Sequence, residues 1–156
     1  MAKSFDDSEK RQAELATAVL TAARDGLIES VRSLLDRGAP LNAPDRAGRT
    51  AVTWAAANRQ LAVVTLLLDR GAIIDAPARV QFDGWLSWLD EQSEQAYEKM
   101  CDATNNTAAT GHYSNAKEFL HDAIALARRL KRQETEAQLM TRLDHIKTIF
   151  RSQFPA

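Results

Sequence analysis

Hydrophobic residues recur at helical spacing along the chain, whereas strand-like alternation and hairpin turn signals are scarce. One short helix is predicted over 61–69, and Gly71 stands just beyond it, where a residue in the left-handed conformation often ends a helix. A preceding short helix carries the same signals and is followed by Gly38. The apolar stripes, at spacing i, i+3, i+4, are Val31, Leu34, Leu35 and Val64, Leu67, Leu68.

The chain repeats itself with a period of 33 residues, since 17–44 aligns with 50–77 at 14 identical positions of 28. A fixed period of this length indicates a stacked repeat architecture. Thr50 is placed to cap a helix over 51–58, which precedes the one over 61–69. Each unit is therefore predicted to be a short helical hairpin followed by a polar connector, at 42–48 in the first unit and at 75–83 in the second.

These units resemble the ankyrin repeat. The first unit is predicted to be a terminal repeat, with its first helix extended back to about Ser8 as a cap. The second unit departs from the family pattern mainly at Arg59 and Gln60, which replace its Gly-His, although the glycine survives in the first unit as Gly26. The residues that stand in the family's positions are Asp45, Gly48, Thr50, Ala55, Ala56, Val63, Val64, Leu66, Leu67, Leu68, Gly71 and Ala72.

The resemblance implies a concave face that binds other proteins, formed by the connector tips and the exposed side of the first helix of each repeat. Arg46 and Arg49 are the best candidates for anchors, because arginine is favoured at interface centres. The alternative for both is a solvated loop charge. The positions that the resemblance assigns to this face are Arg24, Asp25, Arg46, Ala47, Arg49, Ala57 and Asn58.

The tryptophans lie near the repeats and are candidates for contact. Trp54 lies where the family has an apolar residue packed between repeats, which favours the core. Trp85 and Trp88 open a helix just beyond the last clear repeat. We expect them to cover the hydrophobic edge of the stack, or, if one projects into the groove, to contact the partner.

The period is lost after Pro77, and three longer helices are predicted, over 85–109, from an N-cap at Ser114, and from a capping box at Thr135. Gly111-x-Tyr113-x-x-Ala116 resembles the second helix of a tetratricopeptide repeat, or a decayed ankyrin turn. The fold class is therefore all-α: a short ankyrin-type solenoid, 1–78, continued by a helical-hairpin extension, 79–156, in one folded unit.

Composition and motifs exclude several classes of function. Lys plus Arg number 20 and Asp plus Glu 21, so a net charge of −1 argues against nucleic acid and membrane surfaces as partners. The single Cys101 and three histidines lack zinc-site spacing, and no nucleotide or nucleophile motif is present, so no catalytic residue, cofactor or metal is predicted. The N-terminal residues lack the apolar core of a signal peptide, which leads us to expect a cytoplasmic protein.

The resemblance implies a non-enzymatic protein-binding module that blocks or scaffolds a partner. Alternatives are a bacterial immunity protein or inhibitor that neutralises a cognate toxin, and a small helical enzyme around His112, Tyr113 and His121. A structural homodimer is a further alternative. Its C-terminal helices would pair through Leu139, Leu143, Ile146 and Phe150.

Overall fold

The structure, a computed structural model, describes the backbone of residues 2–155 and the side chains of 7–155. This part of the chain is all-helical and contains no strand, which confirms the predicted fold class. It forms two compact units, one up to Trp85 and one from Leu86 onward. The helices are α1 (Ala2–Arg24), α2 (Ile28–Asp36), α3 (Ala51–Ala57), α4 (Leu61–Asp69), α5 (Ala76–Cys101), α6 (Asn106–Arg129) and α7 (Gln133–Gln153).

The first unit contains the two predicted helical hairpins, α1 with α2 and α3 with α4. The hairpins stack, since α1 packs on α3 and α2 packs on α4. Small side chains on α1 and α3 let these two helices approach closely, and aliphatic residues fill the remaining space. The buried residues include Leu15, Val19, Ala22, Ala23, Val31, Val52, Ala55, Ala56, Val63, Val64 and Leu67.

The ends of the short helices follow the sequence signals. Thr50 is extended, with φ −90° and ψ 172°, and its side chain accepts a hydrogen bond from the backbone N–H of Thr53. Gly38 and Gly71 have φ values of +85° and +87°, as predicted for residues that end helices. Arg59 also adopts a left-handed conformation, with φ +56°, at the position that Gly26 holds in the first repeat. A non-glycine residue is strained there.

Polar contacts between equivalent parts of the two repeats fix their register. Arg70 of the second repeat donates to the Asp36 carboxylate of the first repeat at 2.9 Å. The Asn42 side chain accepts from the backbone N–H of Ile73 at 2.9 Å. These bonds link residues 34 and 31 positions apart in sequence, so they form only when the hairpins are stacked.

The prediction of a second connector over 75–83 is wrong beyond Asp75, because α5 begins at Ala76 rather than at Trp85. The Asp75 carboxylate accepts from the backbone N–H of Ala78 at 2.8 Å and so caps this helix. Pro77 lies in the first turn, where its missing N–H costs no hydrogen bond. The same carboxylate accepts from the Thr53 hydroxyl at 3.3 Å, and thereby ties the start of α5 to α3.

In the second unit the helix boundaries differ from those predicted. The break after α5 lies at 102–105, and the Asn105 side chain caps α6 by accepting from the backbone N–H of Ala108 at 2.9 Å. Ser114 is inside α6 and Thr135 is inside α7, so neither is a cap and those predictions are wrong. Gly111 is accommodated in the interior of α6, where it is exposed.

Helices α6 and α7 pack against each other in the second unit. Leu139, Leu143 and Ile146 on α7 are at most 6% exposed. Pairing of two copies through these three side chains is therefore corrected, because they are already buried within the chain, while a homodimer through other residues stays a prediction. Phe150 is half-buried and stacks on Tyr113, with ring centroids 4.1 Å apart.

We expect Arg59→Gly to be more stable than Arg59→Ala by about 1 kcal/mol, the reverse of the order inside a helix. Both variants lose the arginine side chain, so the comparison isolates the cost of a Cβ at φ +56°. Urea unfolding followed by circular dichroism measures the difference. Equal stability of the two variants would contradict a left-handed conformation at this position.

We expect Asp75→Ala to lower the free energy of unfolding by about 1–3 kcal/mol, because it removes the cap of α5 and the bond to Thr53 together. Asp75→Asn keeps a side-chain oxygen that can accept both bonds, so it is the matched control and should lose less. The same urea titration compares the variants. Equal losses would show that the carboxylate charge, rather than hydrogen bonding, stabilises this junction.

Candidate partner-binding surface

The first connector ends in a closed turn that Asp45 organises. Its carboxylate oxygen Oδ1 accepts from the backbone N–H groups of Ala47 at 2.8 Å and Arg49 at 2.9 Å. Its own backbone N–H donates to the Arg49 carbonyl at 2.8 Å, and Gly48 turns the chain with φ +77°. Three of the predicted contact residues, Arg46, Ala47 and Arg49, therefore lie on a turn whose backbone is fixed by hydrogen bonds.

Arg49 and Trp54 converge on the second oxygen of the same carboxylate. Arg49 Nε donates to Asp45 Oδ2 at 2.9 Å and the Trp54 indole Nε1 donates to it at 3.1 Å. The Arg49 guanidinium carbon lies 4.1 Å from the centroid of the Trp54 ring, a cation–π distance. Trp54 is half-buried rather than fully in the core, so its prediction as a core residue is only partly correct. No sequence pattern indicated this cluster of three residues.

Hydrogen bonding lowers the pKa of the Asp45 carboxyl. The largest cause is the Arg49 backbone N–H, to which Ala47 N–H and the side chains of Arg49 and Trp54 add, while desolvation acts in the opposite direction. Because the folded pKa is below the unfolded one, this contribution to stability is fully present above the unfolded pKa. It is lost as the pH falls through the folded pKa. The turn is therefore closed at neutral pH.

Arg46 differs from Arg49 in having no partner. It is exposed at the tip of the turn, and its side chain makes no hydrogen bond or ion pair within the described residues. Arg49 uses Nε for Asp45, and its two terminal amino groups make no hydrogen bond in the part of the chain that the structure describes. The turn thus presents one guanidinium group without a partner among the described residues and one that Asp45 orients.

The remaining predicted contacts lie at the ends of the two packed helices α1 and α3. Arg24 and Asp25 bind each other, with Nε–Oδ1 at 2.8 Å, and this hydrogen bond lowers the pKa of Asp25. Ala57 and Asn58 are exposed at the equivalent positions of the second repeat, and the Asn58 amide donates to the Trp54 carbonyl at 2.9 Å. The first repeat therefore presents an ion pair without net charge, Arg24 with Asp25, and the second repeat presents the small residues Ala57 and Asn58.

Trp85 is removed from the contact set, since only 4% of its surface is exposed and a partner could touch little of it. This matches the alternative in which it covers hydrophobic surface. Trp88 is half-buried and lies edge-on against Phe119, with ring centroids 5.9 Å apart. Its ring is thus engaged within the second unit, and only its remaining exposed part is open to a partner.

The residues considered for chemistry are dispersed. His121 is exposed and Tyr113 packs on Phe150 rather than on a histidine. Cys101 is exposed, and its hydrogen bond with Tyr97 raises the pKa of that tyrosine. Across the described residues, no three His, Cys, Asp or Glu side chains are grouped so that they could hold a metal ion. No described helix is long and apolar enough to cross a membrane.

Residues 3–78 match the family model for ankyrin repeats (3 copies). The match includes the N-terminal half of α1, which was expected to act only as a cap. It ends within the first turn of α5. A search of curated proteins finds no match to the chain. The resemblance of 111–116 to a tetratricopeptide repeat stays a prediction. The N-terminal part of this chain, residues 3–78, therefore carries ankyrin repeats, which indicate a protein–protein interaction module.

Proposed function

We propose that this protein binds another protein through the connector-tip surface and thereby blocks or scaffolds it. The connector-tip surface comprises Arg24, Asp25, Arg46, Ala47, Arg49, Ala57 and Asn58. The observation that carries the proposal is the turn closed by Asp45, which holds two guanidinium groups at its surface. Such preorganisation favours binding because little conformational freedom is lost when the partner docks.

The charges of this surface indicate what the partner presents. Arg24 is compensated by Asp25, whereas Arg46 has no ion pair among the described residues. Arg49 is oriented by Asp45 and Trp54, and its terminal amino groups make no hydrogen bond within the described residues, so they suit the two oxygens of a carboxylate. We therefore expect an acidic side chain on the partner to lie against the tip.

The inhibitor or immunity alternative and the adaptor alternative differ in their effect on the partner. A protein that blocks its partner lowers the partner's activity in proportion to the complex formed. A scaffold leaves that activity unchanged. The protein can be used to isolate its partner from its native cells, and the partner's activity can then be titrated with it. Inhibition at one equivalent would favour the first alternative, and undiminished activity of the saturated complex would favour the second.

We expect Arg46→Glu to weaken the complex about tenfold or more, because it places a carboxylate opposite the acidic site expected on the partner. The free energy of unfolding should change by less than about 0.5 kcal/mol, since the side chain has no partner within the described residues. Isothermal titration calorimetry with the isolated partner measures the affinity, and urea unfolding the stability.

Arg79→Glu is the matched control for this variant. It makes the same charge change at an exposed position of the same unit, on α5 and outside the connector-tip surface. Equal effects of the two variants on affinity would show that net charge, not the tip, governs binding. Full affinity of Arg46→Glu would exclude the tip as an anchor.

We expect Arg49→Lys to weaken the complex about threefold to tenfold, although the positive charge is retained. Lysine cannot offer the planar fork that fits a carboxylate, and its ammonium does not stack on Trp54 as a guanidinium does. Trp54 fluorescence should change as well, because its ring loses the cover of the guanidinium. Unchanged affinity together with changed fluorescence would mean that Arg49 orders the turn without touching the partner.

A further inference from the structure

An apolar groove of about 750 Å³ lies between α1 and α2 and shares no residue with the connector-tip surface. We refer to it as the α1–α2 groove. Two smaller depressions, of about 500 Å³ and 490 Å³, continue it, and Leu34 lines all three. Leu27, which is 53% exposed, contributes apolar surface to the groove. The residues used here to define the groove are Thr17, Ala18, Thr21, Leu27, Ser30 and Leu34.

The internal repeat shows what this surface is built to contact. Ala18, Ser30 and Leu34 of the groove correspond to the residues 33 positions later in the second repeat. These equivalents are Ala51, Val63 and Leu67. These three equivalents are at most 1% exposed, in the repeat whose helices α3 and α4 are covered by α1 and α2. Thr21 and Leu27 correspond to Trp54 and Gln60, which are half-buried. The part of the groove formed by Ala18, Ser30 and Leu34 is thus the first repeat's copy of a surface on which helices pack in the second repeat.

The polar residues in the groove do not make it hydrophilic. Thr17 Oγ1 donates to the Ala13 carbonyl at 3.0 Å, and Thr21 Oγ1 donates to the Thr17 carbonyl at 3.1 Å. Because both hydroxyls are bonded back to α1, a docking side chain meets their methyl groups without leaving an unpaired donor. The wall that α1 contributes is therefore an apolar surface of small residues, which suits a closely approaching helix.

The charges along the groove and its continuation are predominantly positive and uncompensated. Lys10 lines the groove, and Arg11 and Arg37 line the adjoining depression. None of the three makes an ion pair within the described residues. Two opposing charges are present: Glu14 lines the groove and the first depression, and Glu29 lines the second depression, where Arg32 pairs with it at 3.5 Å. A ligand whose flanks carry carboxylates would complement this rim.

We propose that the α1–α2 groove binds an amphipathic α-helix of a partner protein that has an aliphatic stripe and acidic flanks. The stripe occupies the apolar floor around Leu27 and Leu34, as α1 and α2 occupy the equivalent surface of the next repeat. The acidic flanks lie against Lys10, Arg11 and Arg37. The protein then has two separate binding surfaces, the connector tip and this groove.

A synthetic helical peptide tests the proposal with the full chain. Its sequence places Leu and Ala at i, i+3, i+4 and i+7 and Glu at the flanking positions. One control peptide has the same composition with the apolar stripe scrambled, and a second has Lys in place of every Glu. We expect the acidic striped peptide to bind at least about tenfold more tightly than either control in calorimetric titrations. Equal binding of the striped and scrambled peptides would overturn the proposal.

Leu27→Asp tests the floor of the groove. It should weaken binding of the acidic striped peptide about tenfold, because it places a charge where the stripe docks. The thermal unfolding midpoint should stay close to that of the parent, since more than half of the Leu27 side chain is exposed. Leu27→Met keeps an apolar side chain and should retain the affinity. Peptide binding that survives Leu27→Asp in a folded protein would overturn the proposal.

Arg11→Glu with Arg37→Glu tests the rim. Reversing both charges should exchange the preference, so that the Lys-flanked striped peptide binds more tightly than the Glu-flanked one. Arg46→Glu should leave the affinity for either peptide unchanged, so failure of the connector tip and failure of the groove are distinguished. An unchanged peptide preference in the rim variant would refute the role of charge.

Self-association provides the last arm of the test. If a second copy of the chain occupies the groove, light scattering will show a dimer that Leu27→Asp dissociates. That result would overturn the proposal of a partner helix. A monomer across the concentrations used in the titrations, combined with binding of the acidic striped peptide, supports it.

Discussion

The stacking of one helical hairpin on the next is the interaction on which this protein depends. The second hairpin is too short to bury its apolar residues alone, because α3 has seven residues and α4 has nine. Packing α1 on α3 brings Ala22, Ala23, Ala55 and Ala56 into the core, each at most 5% exposed. Stacking covers one side of the α1–α2 hairpin, and the α1–α2 groove lies on surface that the second hairpin does not cover. The connector tip lies on the loop that joins the two stacked hairpins.

Two aspartates stabilise the backbone next to the short helices, one at the connector tip and one at the start of α5. Asp45 closes the first connector, and Asp75 both caps α5 and holds the hydroxyl of Thr53. Each carboxylate accepts several hydrogen bonds. Asp45 holds a loop and the side chains of Arg49 and Trp54. Asp75 holds the start of a helix and the side chain of Thr53. This explains how a protein with few residues between its helices presents rigid loops, which is the property that the proposed binding surface requires.

Particular residues show where prediction from the sequence ended. Gly38, Gly71 and Thr50 were predictable, because helix ends depend on the φ or the side chain of a single residue. The start of α5 was not, since it depends on the Asp75 cap and on the packing of Ala78 and Phe82, which are 0% exposed. For the candidate site, the sequence identified the exposed positions, but not the convergence of Arg49 and Trp54 on Asp45.

The sequence alone determined the helical class, the period of 33 and the identity of the repeat, because these properties are local or recur at a fixed spacing. Only the tertiary structure decided which positions are accessible. Trp85 is buried and Leu27 is exposed, although both are large hydrophobic residues near a repeat boundary. Accessibility depends on what each element packs against. In the described structure α1 packs on α3 and α2 packs on α4, while other side chains of α1 and α2 line the open α1–α2 groove, which no local pattern records.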